Sequence, residues 1–307
     1  MGYPTVGRMS NSHSRKVLVI GRTGQVAQAL AHAGAGRVVN VGRPDLDLRD
    51  AVSLSRAIER YAPDIVINAG GFTKVDQAEA EPGAAFALNV DGPRALAMAC
   101  ARKGIPLVHL STDCVFDGTL ARPYCPDDPP APLSTYGRSK LAGECAVADA
   151  TAQHLIVRVS WVFSHLAGNF VRTMLTLART RETVTVVSDQ TGCPTYAPAL
   201  ATALLAIADT ACTIGFSGWG TYHLAGSGET DRASFARHIF EVSRKHGGPA
   251  ASVTGALTAD FPTPATRPLN ARLDMTRTTD MFGVTLPEWQ AGMADAVPTL
   301  VRELEGG

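Results

Sequence analysis

The chain has 307 residues, 45% of them apolar, and its 28 Lys and Arg balance its 28 Asp and Glu. That length and apolar content suffice for one large α/β domain, or two sharing a cleft, and exclude a disordered chain. Zero net charge argues against a broad basic face for nucleic acid, and no apolar run reaches the roughly 18 residues of a membrane helix.

Residues 1–14 are polar, with no apolar stretch ahead of a cleavage site. They predict a flexible tail rather than a secretory leader. The six cysteines include no C-x-x-C pair and have no histidine at metal-binding spacing. They predict reduced thiols in a cytoplasmic protein and no metal site.

Residues 16–20 (KVLVI) predict a first strand, and the chain then runs through Gly21-Arg22-Thr23-Gly24-Gln25-Val26-Ala27 into helix formers. Strand, glycine turn and helix form the setting of a dinucleotide site. Gly21 would allow the tight turn, Gly24 would let the backbone approach a pyrophosphate, and Ala27 would let the helix lie close to the strand. A plain βα turn is the alternative. Residues 37–41 predict a second strand, followed by Arg43 where many NAD enzymes carry an acid for the ribose. Arg43 either receives a 2′-phosphate, which favours NADPH over NADH, or is an exposed loop cation. Asp47 is a candidate for adenine contact, and Asp50 for the cap of the next helix.

Residues 64–69 (DIVINA) predict a buried strand, and the loop Gly70-Gly71-Phe72-Thr73 lies at its carboxyl end, where doubly wound sheets bind ligands. Residues 75–89 and 92–103 predict helices. Residues 105–110 predict the next strand, with Thr112 just past it, either facing the same crevice or capping a turn. A Pro-, Asp- and Gly-rich loop over residues 118–132 precedes a helix with Ser134 as its cap. That helix carries Tyr136 and Lys140, four apart and so on one face. A phenol beside an ammonium can exchange a proton near neutral pH if the charge lowers the phenol pKa. Otherwise the two are surface residues. Further on, residues 155–163 predict one unbroken strand, and a helix follows Asn169. Residues 183–187 and 222–224 predict short strands, and 196–208 and 231–246 helices. In the stretch 261–273, Arg267 and Arg272 either grip a substrate diphosphate or form interdomain ion pairs.

Several motifs together resemble the extended short-chain dehydrogenases/reductases. They are Gly21-x-x-Gly24-Gln25-Val26-Ala27, Asn68-Ala69, Ser111-Thr112-Asp113 and Tyr136-x-x-x-Lys140. The likeness extends through Val159-Ser160-Trp161, Asn169-Phe170, Asp189-Gln190-x-Gly192 and Arg267-Pro268-x-Asn270, from about residue 16 to the C-terminus. Within that family the chain is similar to the branch that reduces dTDP-4-dehydro-6-deoxy sugars, the rhamnose precursor first among them.

The resemblance implies a doubly wound parallel sheet of Rossmann type with a smaller C-terminal α/β substrate domain. Residues 15–165 would bind the cofactor, with 196–225 returning to that domain, and 166–307 would bind substrate. It implies Tyr136 as proton donor, Lys140 as holder of the nicotinamide ribose that lowers the tyrosine pKa, and Thr112 on the sugar carbonyl. Asp113, Trp161, Asn169 and Arg267 would face the sugar nucleotide. Gly24, Gln25 and Val26 would cradle the NADPH pyrophosphate. Asp47 and Leu48 would flank the adenine, and Gly71, Phe72 and Thr73 the middle of the cofactor. A homodimer is compatible with this reading. Cys114 stands where the family usually has Tyr, and Ala29 where some members carry a Glu that helps a magnesium ion bridge a dimer, so no metal is expected. A related 4-keto sugar reductase, or a non-catalytic NADP-binding regulatory subunit, are the alternatives.

Overall fold

In the computed structural model, which describes residues 15–305, the chain opens with β1 (Val17–Ile20), α1 (Gln25–Ala33), β2 (Val38–Val41), α2 (Ala51–Tyr61) and β3 (Ile65–Asn68). The tail expected at 1–14 lies outside the described residues. Next come α3 (Val75–Ala80), α4 (Pro82–Phe86), a π-helical turn at Ala87–Asp91 and α5 (Gly92–Lys103). The first half closes with β4 (Leu107–Thr112), α6 (Thr135–Ala150) and β5 (His154–Val159). The second half holds β6 (Val162–Phe163), α7 (Phe170–Ala178), β7 (Thr183–Val187), β8 (Thr191–Gly192), β9 (Thr195–Tyr196) and α8 (Ala197–Ala211). β10 (Gly220–His223), β11 (Thr230–Asp231), α9 (Arg232–Lys245), β12 (Ser252–Ala256), β13 (Asn270–Ala271), α10 (Thr276–Phe282) and α11 (Trp289–Glu305) complete it.

Six of these strands form one parallel sheet in the order β10-β5-β4-β3-β1-β2. Every residue of β1, β3 and β4 is buried, as expected of central strands whose two faces are covered by helices, and the apolar runs of β1 and of β3 up to Ile67 reflect it. α1 and α8 pack together on one face, where Leu30, Leu200, Leu204 and Ile207 are all but fully buried. α2 and α5 cover the other face over Leu18, Leu54, Ile58 and Leu96. Each such side chain contributes about 1.5–3 kcal/mol relative to an exposed one. Strand order reverses between β1 and β3, so a crevice opens at their carboxyl ends. A second core, around Phe163, Leu175, Phe235, Ile239, Met293 and Leu300, unites α7, α9 and α11. No helix of the described residues is long and apolar enough to cross a membrane.

Two expectations are corrected. The helix expected over 75–89 is interrupted: Pro82 has no N–H to continue the ladder of α3, and the chain restarts there as α4. The π turn then carries Asn89 inward. The strand expected over 155–163 also breaks. β5 ends at Val159, Trp161 takes a left-handed φ of +43°, and β6 leaves the main sheet to pair with β9. Asp50 and Ser134 do cap their helices, Asp50 accepting from the Val52 N–H and Ser134 from the Gly137 N–H.

Candidate active site

A cleft of about 440 Å³ lies at the carboxyl ends of β1, β3 and β4, walled on its far side by Trp161 and the segments around Gln190, Arg232 and Arg267. Its floor begins at the β1–α1 turn. Gly21 has φ +134°, a conformation open to glycine and strained for other residues. Gly24 is the N-cap of α1 without a side-chain cap, and no acidic residue occupies the first turn. By contrast α2, α6, α7 and α9 are capped by Asp50, Ser134, Asn169 and Asp231. The α1 N-terminus, uncapped like those of α5 and α8, opens on the cleft with Gly24, Gln25 and Val26 in its lining, a site suited to an anion. Gln25 also ties this floor to the second half, accepting from Ser164 Oγ at 2.8 Å.

Above the floor, Asn68 and Asn89 hold the loop that leaves β3. Asn68 Oδ1 accepts from the Gly70 N–H at 3.1 Å, and Asn68 Nδ2 lies 3.0 Å from His109 Nδ1. Asn89 accepts from the Phe72 N–H at 2.8 Å, donates to the Phe72 carbonyl at 3.0 Å, and donates to Ser139 on α6 at 2.9 Å. Gly71 and Thr73 consequently face the cleft.

Opposite them, α6 presents Tyr136 and Lys140, both nine-tenths buried or more. Thr112 Oγ1 donates to Asp113 Oδ1 at 2.8 Å, and Ser160 donates to Asp113 Oδ2 at 2.7 Å. Burial raises the Asp113 pKa, and these two hydrogen bonds and the charge of Arg232 oppose the rise. The expected lowering of the Tyr136 pKa by Lys140 is corrected. Burial pushes the phenol up, Cys114 and Asp113 add to it, and a hydrogen bond with Thr112 opposes. Lys140 instead donates to the Leu110 carbonyl at 2.6 Å.

Burial also lowers the pKa of Lys140 from 10.5 to about 8, with Glu144 opposing. Between those values the unfolded chain binds more protons than the folded one, so stability attributable to this residue rises with pH. Relative to Lys140→Met, the wild-type chain should gain stability from about pH 8 to about pH 10.5. Urea midpoints of both chains on either side of that window check this; a constant difference refutes it.

The structure does not bring Arg43, Asp47, Leu48 or Phe72 into the cleft lining. Arg43 is exposed after β2. The Asp47 carboxylate is held by the side chain and N–H of Arg49, which bring its pKa down to about 2. Leu48 is a core residue. Asn169 is also corrected as a cleft residue. Its oxygen caps α7 at Val171 and Arg172, and its amide donates to the Ser164 and Ala167 carbonyls, so neither end is left to meet a ligand. Arg267 lines the cleft and pairs with Asp76 at 2.7 Å, holding that carboxyl below its usual range. Arg272 lies outside the lining, paired with Glu229 at 3.0 Å.

Trp161 does line the cleft, and two further residues fix it: Gly192, which lies in a family-like motif, and Arg232, which sequence reasoning did not single out. Gly192 gives the indole room, since a Cβ there would lie 2.5 Å from the ring. The Arg232 guanidinium sits 3.5 Å from the ring centroid. Pattern alone hides Arg232, because a cation on an amphipathic helix reads as solvent-facing. Its place at the first position of α9, where the helix dipole disfavours positive charge, was the available clue.

A family model described as RmlD substrate binding domain matches residues 15–302. The chain is 43% identical over 291 residues to dTDP-4-dehydrorhamnose reductase of Sinorhizobium fredii, covering 94% of this chain and 98% of that one. To dTDP-4-dehydrorhamnose reductase of Escherichia coli K12 it is 38% identical, covering 90% and 95%. Among solved structures, dTDP-4-dehydrorhamnose reductase from Bacillus anthracis in complex with NADP superposes with a TM-score of 0.84 at 31% identity, covering 92% of this chain and 98% of that chain.

Proposed function

The chain belongs to the dTDP-4-dehydrorhamnose reductase family, and we propose that it reduces the 4-keto group of dTDP-4-dehydro-L-rhamnose with NADPH, giving dTDP-L-rhamnose. The observation that carries this is the convergence of Thr112, Tyr136 and Lys140 on the cleft that also receives the uncapped N-terminus of α1.

The residues fit a dinucleotide. The free N–H groups at Gly24, Gln25 and Val26 suit its pyrophosphate, and the ordered Gly71–Thr73 loop borders its middle. Backbone at Asp47 and Leu48 would flank the adenine, with Arg43 near a 2′-phosphate. When bound, the nicotinamide supplies the hydride for C4. The protein supplies position and a proton. Tyr136, like any phenol, is protonated at neutral pH, the state a proton donor requires, and it delivers that proton to the C4 oxygen. Thr112, oriented by Asp113, hydrogen-bonds the same oxygen. Lys140, fixed on the Leu110 carbonyl, places an ammonium beside the nicotinamide ribose. Trp161 and Arg267 border the sugar nucleotide. In this division of labour, residues 15–165 and 196–225 hold the cofactor, and the remainder faces the substrate.

Adding dTDP-4-dehydro-L-rhamnose to the purified chain with NADPH should consume the reduced-nicotinamide absorbance and yield dTDP-L-rhamnose. Parallel reactions with NADH and with other dTDP-4-keto sugars fix both preferences. No consumption with any of them overturns the assignment.

A further inference from the structure

Residues 258–268 cross one side of the cleft with no strand and a single short 3-10 turn, Thr258–Asp260. Pro262, Pro264 and Pro268 restrict the backbone, and the segment bonds to itself. Thr263 Oγ1 donates to the Ala265 carbonyl at 2.9 Å. Arg267 donates to Thr263 Oγ1 at 2.8 Å and to the Ala265 carbonyl at 3.2 Å. Both ends are anchored. Thr258 donates to Asp189 from its N–H and its hydroxyl and accepts from Gln190 at 3.1 Å. Just past the other end, the Leu269 carbonyl accepts from the Thr191 N–H at 2.7 Å. There Pro268 packs so closely on the loop before α6 that a Cβ on Gly118 would lie 2.7 Å from its own Cβ.

Between those ends one side chain holds the segment to the first half of the chain. Among the described residues, every hydrogen bond from 258–268 to residues 15–165 goes to the carboxylate of Asp76 on α3. Oδ1 accepts from the Ala265 N–H at 3.2 Å and from Arg267 at 3.1 Å, and Oδ2 accepts from Arg267 at 2.7 Å. The pair is partly open to water, with the Arg267 side chain 27% and the Asp76 side chain 43% exposed. Ions so placed are solvated when they part, so the contact is of modest strength and can break and re-form. Val75, Arg267 and Pro268 all line the cleft, so this contact sets its wall on that side.

We propose that Asp76 is a positioning residue, the latch of a flap made of residues 258–268. Released, the flap admits and frees the sugar nucleotide; latched, it completes the wall against which that substrate is held. Without Asp76 the flap keeps its internal bonds at Thr263 and Ala265 and its two anchored ends, so it moves as a unit. The proposal rests on the nucleotide-sugar reading above, and one arm of its test needs no substrate.

Steady-state kinetics on the full-length chain form the first arm. D76A should raise KM for dTDP-4-dehydro-L-rhamnose about 10-fold, because apparent affinity falls with the latched fraction. Its kcat and its NADPH affinity should stay at wild type. D76E, which keeps the carboxylate, should recover most of the loss, and D76N, which keeps an acceptor without the charge, should fall between. An unchanged KM in D76A overturns the proposal. So does a loss shared by kcat and NADPH binding, the mark of general damage to the fold. Hydrogen exchange of the ligand-free chain is the second arm. Exchange should quicken across residues 258–268 in D76A, with β4 and α6 at wild-type rates. Wild-type exchange in the flap overturns the latch whether or not any sugar is reduced. Faster exchange confined to the flap, in a chain that reduces no 4-keto sugar, leaves the latch standing and removes the nucleotide-sugar reading.

Discussion

Replacing Tyr136 by Phe should cut turnover of dTDP-4-dehydro-L-rhamnose by about 10²-fold or more while NADPH binds as tightly as to the wild type. The substitution removes one oxygen and keeps the ring, which packs with Phe72, Val75, Ala78 and Ala85 in a small apolar cluster. The neighbouring Thr112 hydroxyl keeps its own partners after the change, donating to Asp113 and accepting from the Cys114 N–H. Folding should survive. What is lost is the positioned phenolic proton for the developing alkoxide, which an unplaced water delivers less efficiently. The loss should fall on kcat, with little change in KM, because the phenol acts chiefly in the transition state. Steady-state kinetics with NADPH fluorescence titration check both halves. Near wild-type kcat would leave Tyr136 without a catalytic role.

How much of this site can be read in the sequence depends on the range of the forces involved. Local rules find β1, the glycine turn and the caps at Asp50 and Ser134, since each involves neighbours within a few residues. The four-residue spacing of Tyr136 and Lys140 correctly places them on one helix face. The direction of the tyrosine pKa shift is not legible there. It is set by burial, which the whole fold produces and which no four-residue spacing encodes. Asn169 shows a related limit: an Asn at a motif position suits a ligand contact and a helix cap alike, and only the Val171 and Arg172 N–H groups decide for the cap. The break at Trp161 was hidden because Ser160-Trp161-Val162 has good strand propensity, and the pairing of β6 with β9 overrides it. The second core, assembled from α7, α9 and α11, depends on contacts across more than a hundred residues that no local period encodes.

Beneath the catalytic helix lies the interaction whose removal should destabilise the chain most. Glu144 of α6 and Arg158 of β5 form a two-pronged ion pair at 2.9 and 2.7 Å, with both side chains only 5% exposed. Arg158 also donates to the Pro126 carbonyl at 3.1 Å and lies 5.0 Å from the centroid of the Phe116 ring, so it binds the loop that precedes α6 to the sheet. Arg158→Met should lower unfolding stability by about 3–5 kcal/mol, because the Glu144 carboxylate is left buried without its partner. The pair itself contributes far less, since its mutual attraction is largely offset by desolvation of both groups. Glu144→Leu with Arg158→Met together should therefore be clearly more stable than Arg158→Met alone. The position of α6 should follow the same order: kcat should fall in the single variant, whose Lys140 stands one turn before an unpaired carboxylate, and recover in part in the double variant. Urea unfolding of the wild type, both single variants and the double variant measures the cycle. A wild-type midpoint for Arg158→Met, or a double variant no more stable than that single one, would show that the buried pair does not hold the catalytic helix on its sheet.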